Sequence, residues 1–322
     1  MSRPAVLNAA FAAALFLGAG APLQGQDPAP LAKEEPTGDF AFQRDRAARM
    51  TVPVSIDGRG PYQFVVDTGA ERTVISQELA RELNLAEGRT ARLHSMSEVA
   101  DVDTVVIPRL QVNSRTVTGI NAPALARLNL GASGLLGVDS LALQKVLFDF
   151  EKQTMTVSPA RRTPEPREEP GTIVVRARTM LGRLILADAR ADGQKIWVVI
   201  DTGSQVSIGN EALRRKLAGK KRLGPTFPIE LISVTGGKLQ GDYTLIKQLH
   251  IGGVRVNDMP IAFADAHPFK QLGLTHRPAM LLGMDALGLF DRVSVDFANR
   301  RVEFGLPDMS SRNSGVRMAS RD

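Results

Sequence analysis

The chain repeats itself, and that repetition constrains its fold more than any other feature. Gln63-Phe64-Val65-Val66-Asp67-Thr68-Gly69-Ala70 is followed by Thr73-Val74-Ile75, and Ile196-Trp197-Val198-Val199-Ile200-Asp201-Thr202-Gly203-Ser204 by Val206-Ser207-Ile208. An Asp-Gly turn precedes each copy (Asp57-Gly58 and Asp192-Gly193), and a helix-forming run follows each, over 77–83 and 210–217. Further on, Gly134-Leu135-Leu136-Gly137-Val138-Asp139-Ser140-Leu141 matches Met280-Leu281-Leu282-Gly283-Met284-Asp285-Ala286-Leu287. Both copies close with a hairpin-like pair, 146–150 with 154–157 and 293–297 with 301–304. Matched landmarks in one order amount to an internal duplication. A length of 322 residues, at about 150 per domain, then means two copies of one lobe.

Most of each copy alternates apolar and polar residues or runs β-branched between turn signals, as in Val52-Pro53-Val54-Ser55-Ile56, 104–107 and 254–261. Helices are short, and Asp139 and Asp285 are placed to cap those after the Leu-Leu-Gly motifs. The expected fold is all-β: two β lobes, 48–159 and 172–306, joined by a proline-rich and charged linker at 160–171. Residues 1–26 read as an export signal, with Arg3, an apolar run over 9–17 and small residues at 18–21. Residues 27–47 read as a flexible spacer and 307–322 as a disordered tail. No later apolar run approaches the roughly 20 residues of a bilayer span, so no stable membrane insertion is expected once the signal is removed.

The chain has no cysteine, which removes disulfides, thiol nucleophiles and Cys-based zinc sites. Export without cysteine fits a bacterial periplasm or exterior. Four histidines lack the spacing of a zinc protease, so no metal or other cofactor is expected. His94 reads as a surface or packing residue. The net charge of +6 comes with one Trp and two Tyr, leaving little to stack on bases. The basic clusters therefore read as solvated faces, with no nucleic-acid partner.

One Asp-Thr-Gly means little; two in matched β contexts mean more. An Asp at the end of an apolar strand is costly to bury unless it is hydrogen-bonded or shares a proton. If the halves pair about a pseudo-twofold axis, Asp67 and Asp201 meet, and two carboxylates about 3 Å apart cannot both ionise. Such a pair activates water with its ionised member and protonates a carbonyl oxygen with the other. Gly69 and Gly203 leave room beside the pair, and Thr68 and Thr202 can bond across the axis. Ala70 stands where the second copy has Ser204, whose hydroxyl could donate to its carboxylate. Asp201 is on that ground expected to be the ionised member.

With these residues the sequence resembles the retropepsin-like aspartic proteases over both halves. The resemblance implies two β-barrel lobes forming an intramolecular pseudo-dimer, with the substrate cleft between them. It implies Asp67 and Asp201 as catalytic residues, with Leu135-Leu136-Gly137 and Leu281-Leu282-Gly283 threading behind the active loops. It further implies hairpin flaps over the cleft. A flap is legible in the second half, where 230–234 and 238–240 flank a turn at Gly236-Gly237. The first-half stretch 91–99 has no glycine turn, so one proper flap is expected. Ile232, Val234 and Val106 are candidate apolar subsites. The expected function is an exported aspartic endopeptidase, monomeric, acting on a periplasmic or envelope polypeptide held as an added β-strand. The alternative is a catalytically inactive module that binds such a segment.

Overall fold

The computed structural model describes residues 9–11, 39–41, 43–44, 50–113, 115–160, 171–220 and 222–306. The expected signal, spacer, linker and tail lie almost wholly outside these residues.

Each half closes into a six-stranded barrel with the same strand order. In the first, Met50–Ile56 pairs with Arg59–Val66, then come Gly134–Leu136, Val74–Ser76, Arg115–Leu125 and Thr104–Val112, which returns to Met50–Ile56. In the second, Arg183–Ala191 pairs with Gln194–Ile200, then come Ala279–Leu282, Ile208–Gly209, Val254–Phe263 and Lys238–Ile251, which returns to Arg183–Ala191. Alternation builds the walls: Val52, Val54 and Ile56 are buried while Pro53 and Ser55 are only half-buried. The two Asp-Gly turns supply two consecutive left-handed residues, φ 50° and 78° at Asp57 and Gly58, and 44° and 73° at Asp192 and Gly193. That pair of conformations matches the right-handed twist of the flanking strands.

A third region belongs to both halves. Thr172–Met180, Arg301–Gly305, Arg292–Asp296, Gln144–Asp149 and Thr154–Pro159 lie side by side in one sheet. At its centre Leu147 pairs with Ser294, its counterpart in the duplicated hairpins, so the pseudo-twofold axis passes between them. Val146, Phe148, Val293, Val295 and Phe304 are fully buried there, and Lys145 Nζ bonds Glu303 Oε2 at 2.8 Å from one half to the other. Outer strands extend the edges: Asp39–Ala41 on Thr154–Thr156, Gln43–Arg44 on Met50–Thr51, and Ala9–Phe11 parallel to Leu231–Ser233.

Two helices form where expected. Gln77–Glu82 is capped by Ser76, whose side chain accepts from Leu79 N–H at 3.1 Å, and Glu211–Gly219 by Asn210, which accepts from Leu213 N–H at 2.9 Å. The helices after the Leu-Leu-Gly motifs differ from expectation. Gly137 and Gly283 occupy the cap positions of Val138–Leu141 and Met284–Leu287, and Asp139 and Asp285 sit inside the first turn. Their carboxylates are engaged elsewhere, as the site shows.

Candidate active site

Each Asp-Thr-Gly loop hangs from its Leu-Leu-Gly strand. Arg59–Val66 runs parallel to Gly134–Leu136, and Asp67 N–H donates to Leu136 O at 3.0 Å. Gln194–Ile200 runs parallel to Ala279–Leu282, and Asp201 N–H donates to Leu282 O at 3.0 Å. A side chain then braces each loop from behind. Thr73 N–H and Oγ1–H donate to Asp139 at 2.9 and 2.7 Å, and Ser207 N–H and Oγ–H donate to Asp285 at 2.9 and 2.6 Å. Gly137 N–H and Gly283 N–H donate back to the hydroxyls of Thr73 and Ser207, at 3.2 and 3.0 Å. Sequence reasoning missed this brace; the signal was a hydroxyl six residues after each Asp in both copies. Burial pushes the Asp285 carboxyl up to about 6, against the hydrogen bonds from Ser207.

The two loops are knotted to each other. Thr68 Oγ1–H donates to Ile200 O at 2.9 Å and accepts from Thr202 N–H at 3.1 Å. Thr202 Oγ1–H donates to Val66 O at 2.7 Å and accepts from Thr68 N–H at 3.1 Å. The two loops thus exchange four bonds about the axis, two of them between Thr68 and Thr202, 134 residues apart. Both threonines are buried, so these bonds are shielded from competing water.

The carboxylates face each other across this knot. A Cβ on Gly69 would lie 2.5 Å from Asp201 Oδ1, and one on Gly203 would collide with the Asp67 carboxylate. Each glycine therefore lets the opposite lobe's Asp approach. Gly69 N–H donates to Asp67 Oδ1 at 2.9 Å, and Gly203 N–H to Asp201 Oδ1 at 3.2 Å. Asp67 is 0% and Asp201 2% exposed. Burial and the negative charge of Asp67 hold the Asp201 carboxyl well above its ordinary value, opposed by Arg183 and by the N–H groups of Gly203 and Ser204. Two buried carboxylates this close cannot both ionise, so the pair shares a proton.

The Ser204 hydroxyl, expected to favour the charged form of Asp201, is engaged elsewhere. It donates to Val206 O at 2.7 Å, so the side chain adds nothing to the charged form of Asp201. A cation that the sequence did not single out acts here. Arg183 follows the turn at Leu181-Gly182, pairs with Met180 across the hairpin and is 1% exposed. The tip reaches the other lobe: a Cβ on Gly182 would lie 3.2 Å from Val138. Burial lowers Arg183 to about 10, while Asp201, Asp67 and Glu71 favour its charge. Glu71 is pushed up by burial and held down by Arg72 and Arg183. Only an Arg opening an apolar strand, Arg183-Leu184-Ile185-Leu186, hinted at this.

Both halves carry a flap, where the sequence promised one. The second, Phe227–Ser233 with the start of Lys238–Ile251, turns through Gly236 at φ 86°, with Ser233 N–H bonded to Gly237 O at 2.8 Å. The first, Ala91–His94 with Val99–Val102, turns over Ser95-Met96-Ser97-Glu98 without glycine. Ser95 closes that turn: its N–H donates to Glu98 O at 2.8 Å and its Oγ accepts from Glu98 N–H at 3.2 Å. A serine turn substitutes for the glycine turn.

The two tips meet. Ser97 Oγ bonds Ser233 Oγ at 3.1 Å, and Thr235 Oγ1–H donates to Glu98 Oε1 at 3.0 Å. Val234 is 0% exposed inside a first-lobe cluster with Leu93, Leu125 and Leu130, and Met96 is 1% exposed among second-lobe residues including Phe269 and Leu272. Val234 thus packs at the junction of the tips, beside a pocket it lines with Leu125, Asn129 and Thr235. Ile232 is half-buried on the second flap, and Val106 lies in the first barrel wall, tied to Ala86 and Asn121. Gly236 rests on Asn129 and Gly237 on Glu98.

Two barrels, one shared sheet and a buried carboxylate from each half about a pseudo-twofold axis define a single-chain pseudo-dimer with one two-carboxylate site. Residues 52–142 match the family model of gag-polyprotein aspartyl proteases, and residues 187–286 match a second model described as aspartyl protease. The chain belongs to the aspartyl protease family, as a retropepsin-like member with two protease domains in tandem. No curated protein matches it.

Proposed function

We propose that this chain is an aspartic endopeptidase that hydrolyses peptide bonds of an extended polypeptide, using a water activated between Asp67 and Asp201. The observation that carries the reading is reciprocal packing, with Gly69 against Asp201 and Gly203 against Asp67. It brings two buried carboxylates together with one proton between them. The ionised member takes a proton from water as the water attacks the scissile carbonyl carbon, and the protonated member of the pair protonates the carbonyl oxygen. The resulting gem-diol collapses with proton transfer to the leaving nitrogen, so no covalent enzyme intermediate arises. The flaps supply edges on which an extended substrate can lie as an added strand. One chain supplies both carboxylates, which supports action as a monomer. Residues 1–26 support export to a bacterial periplasm or exterior, with an envelope polypeptide as substrate.

The test is turnover of a diverse peptide library by the mature chain across pH, beside Asp67→Asn and Asp201→Asn. Loss of cleavage by about 10³-fold in both variants, with cooperative unfolding retained, is expected. Undiminished cleavage in either overturns the dyad. Peptide binding without turnover by the parent chain identifies a binding module instead.

A further inference from the structure

The two flap tips are spelled alike. Leu93-His94-Ser95-Met96-Ser97 on the first matches Leu231-Ile232-Ser233-Val234-Thr235 on the second: a leucine, a serine, an apolar residue and a hydroxyl at equal spacing. In both, the leucine stays in its own lobe and the apolar residue crosses over. Leu93 is buried in one cluster with Val65, Val74 and Leu135 of the first lobe, and Leu231 in another with Val199, Ile208 and Leu281 of the second. Val234, however, joins the first-lobe cluster, and Met96 the second-lobe one. Backbone contacts hold each tip from across: Met96 O accepts from His267 N–H at 2.9 Å, and Gly236 rests on Asn129.

Strand alternation says where those two clusters lie. On the strands that lead into the dyad, Phe64 and Val66, like Val198 and Ile200, belong to the large barrel core, whereas Val65 and Val199 belong to the small clusters. Asp67 and Asp201 come two residues after Val65 and Val199, and so fall on the same face. The Leu-Leu-Gly strands divide in the same way, with Leu136 and Leu282 in the barrel core and Leu135 and Leu281 in the small clusters. One cluster therefore flanks each carboxylate. Neither carboxylate is more than 2% exposed, and the pocket of about 340 Å³ that Val234 lines includes neither of them. An extended chain projects successive side chains to opposite sides. The residues on either side of a bond set over the dyad would enter these two clusters, where Val234 and Met96 already sit.

We propose that Val234 and Met96 are resident plugs, each flap tip filling in the opposite lobe the site of a substrate side chain beside the scissile bond. The proposal rests on the proteolytic reading for the identity of the displacing chain. A substrate then binds by exchange. Its two apolar side chains take the places of the tips, so the apolar walls that lose one cover regain another. A polar side chain offers no such exchange, because it would be desolvated against those walls without a partner. The bonds that tie the tips, Ser97 to Ser233 and Thr235 to Glu98, join polar groups at the flap surface, and water can satisfy them once the tips part. Leu93 and Leu231 keep each stem on its own lobe while the tip lifts. Until a matching segment arrives, the chain shuts its own dyad.

The absence of cysteine allows a direct test by thiol labelling of the full chain. Met96→Cys and Val234→Cys, made separately, place a thiol at positions that are 1% and 0% exposed. Val99→Cys, at a position 42% exposed on the first flap, controls for the reagent. The probe is pepstatin, an apolar peptide whose hydroxyl stands in for the gem-diol. Both tip thiols should label slowly alone and about tenfold or more faster with saturating probe, as competition for one site frees its former occupant. The Val99→Cys rate should not move. A tip that only closes over bound substrate would label more slowly with probe, so a slower or unchanged rate at both tips overturns the plugs. Two independent tip variants guard against misfolding of one. Cleavage of the peptide library by the parent chain separates the two claims. Faster tip labelling without cleavage of any peptide defeats the proteolytic reading alone, whereas cleavage with slower or unchanged labelling defeats the plugs alone.

Discussion

The two flaps share a position and differ in nearly everything that holds them. The second grows out of long strands of its barrel, Phe227–Ser233 and Lys238–Ile251, so each residue along its stem is anchored in a large sheet. The first has a four-residue stem whose Leu93 is buried in its own lobe, a serine turn and a methionine at its tip buried in the other lobe. One is stiff by continuity and the other ordered by side-chain packing against both lobes, and local stability should follow that division. The same inequality runs through the lobes. Glu71 follows the first Asp-Thr-Gly loop where the second copy has Gln205, and a buried Arg183 enters from the second lobe to face both carboxylates. A symmetric scaffold thus holds a site whose surroundings are not symmetric.

The largest effect is expected where the halves are most alike. Gly69→Ala and Gly203→Ala each drive a methyl into the opposite carboxylate, and both should lose about 10³-fold or more in kcat/KM. A variant keeping near-parental turnover would show that the halves are not equally close-packed at the dyad. Arg183→Met comes next. It leaves Asp67, Asp201 and Glu71 without their buried cation and should cost about 3–5 kcal/mol in denaturant unfolding. The acid limb of its pH–rate profile should move to higher pH, because Arg183 holds Asp201 down.

Asp285→Asn probes the second-lobe brace. With the folded carboxyl raised to about 6, its contribution is fully present below the unfolded value near 4 and is lost as pH rises through 6. The parent should therefore shed up to about 3 kcal/mol of stability across that window on this account, and Asp285→Asn should not. Tm followed against pH for both proteins decides it. Met96→Ala against Val234→Ala measures the flaps directly. Met96→Ala should raise amide exchange over 91–102 with little change in global Tm, since a docked tip can simply release. Val234→Ala should cost about 1–3 kcal/mol globally, because the second flap cannot leave its sheet. Ser204→Ala should do least, leaving the pH–rate profile unmoved, since that hydroxyl serves Val206.

The duplicated motifs made the barrels, the threonine knot and the glycine contacts legible, because they depend on short spacings that recur in both copies. What stayed hidden depends on partners distant in sequence. Asp139 and Asp285 read as caps, since nothing local says that Thr73 and Ser207 lie behind them. The first flap was obscured because Ser95 does by a side-chain bond what glycine does by backbone freedom. Arg183 stands in none of the basic clusters of the sequence; only the tertiary fold brings its charge to bear on the dyad. The role expected of Ser204 failed for a similar reason, a nearer acceptor at Val206 O competing for its one proton.

The pairing of Leu147 with Ser294 at the centre of the shared sheet has an evolutionary consequence. In an assembly of two identical chains, every substitution arises twice and must be tolerated in both places. Here the two sides of the axis are spelled by separate codons. A leucine can face a serine, Gly134 can be answered by Met280, and a single arginine can enter a paired site without its mirror image. Within one chain each half is free to differ, while the contacts that cross the axis hold the two in register.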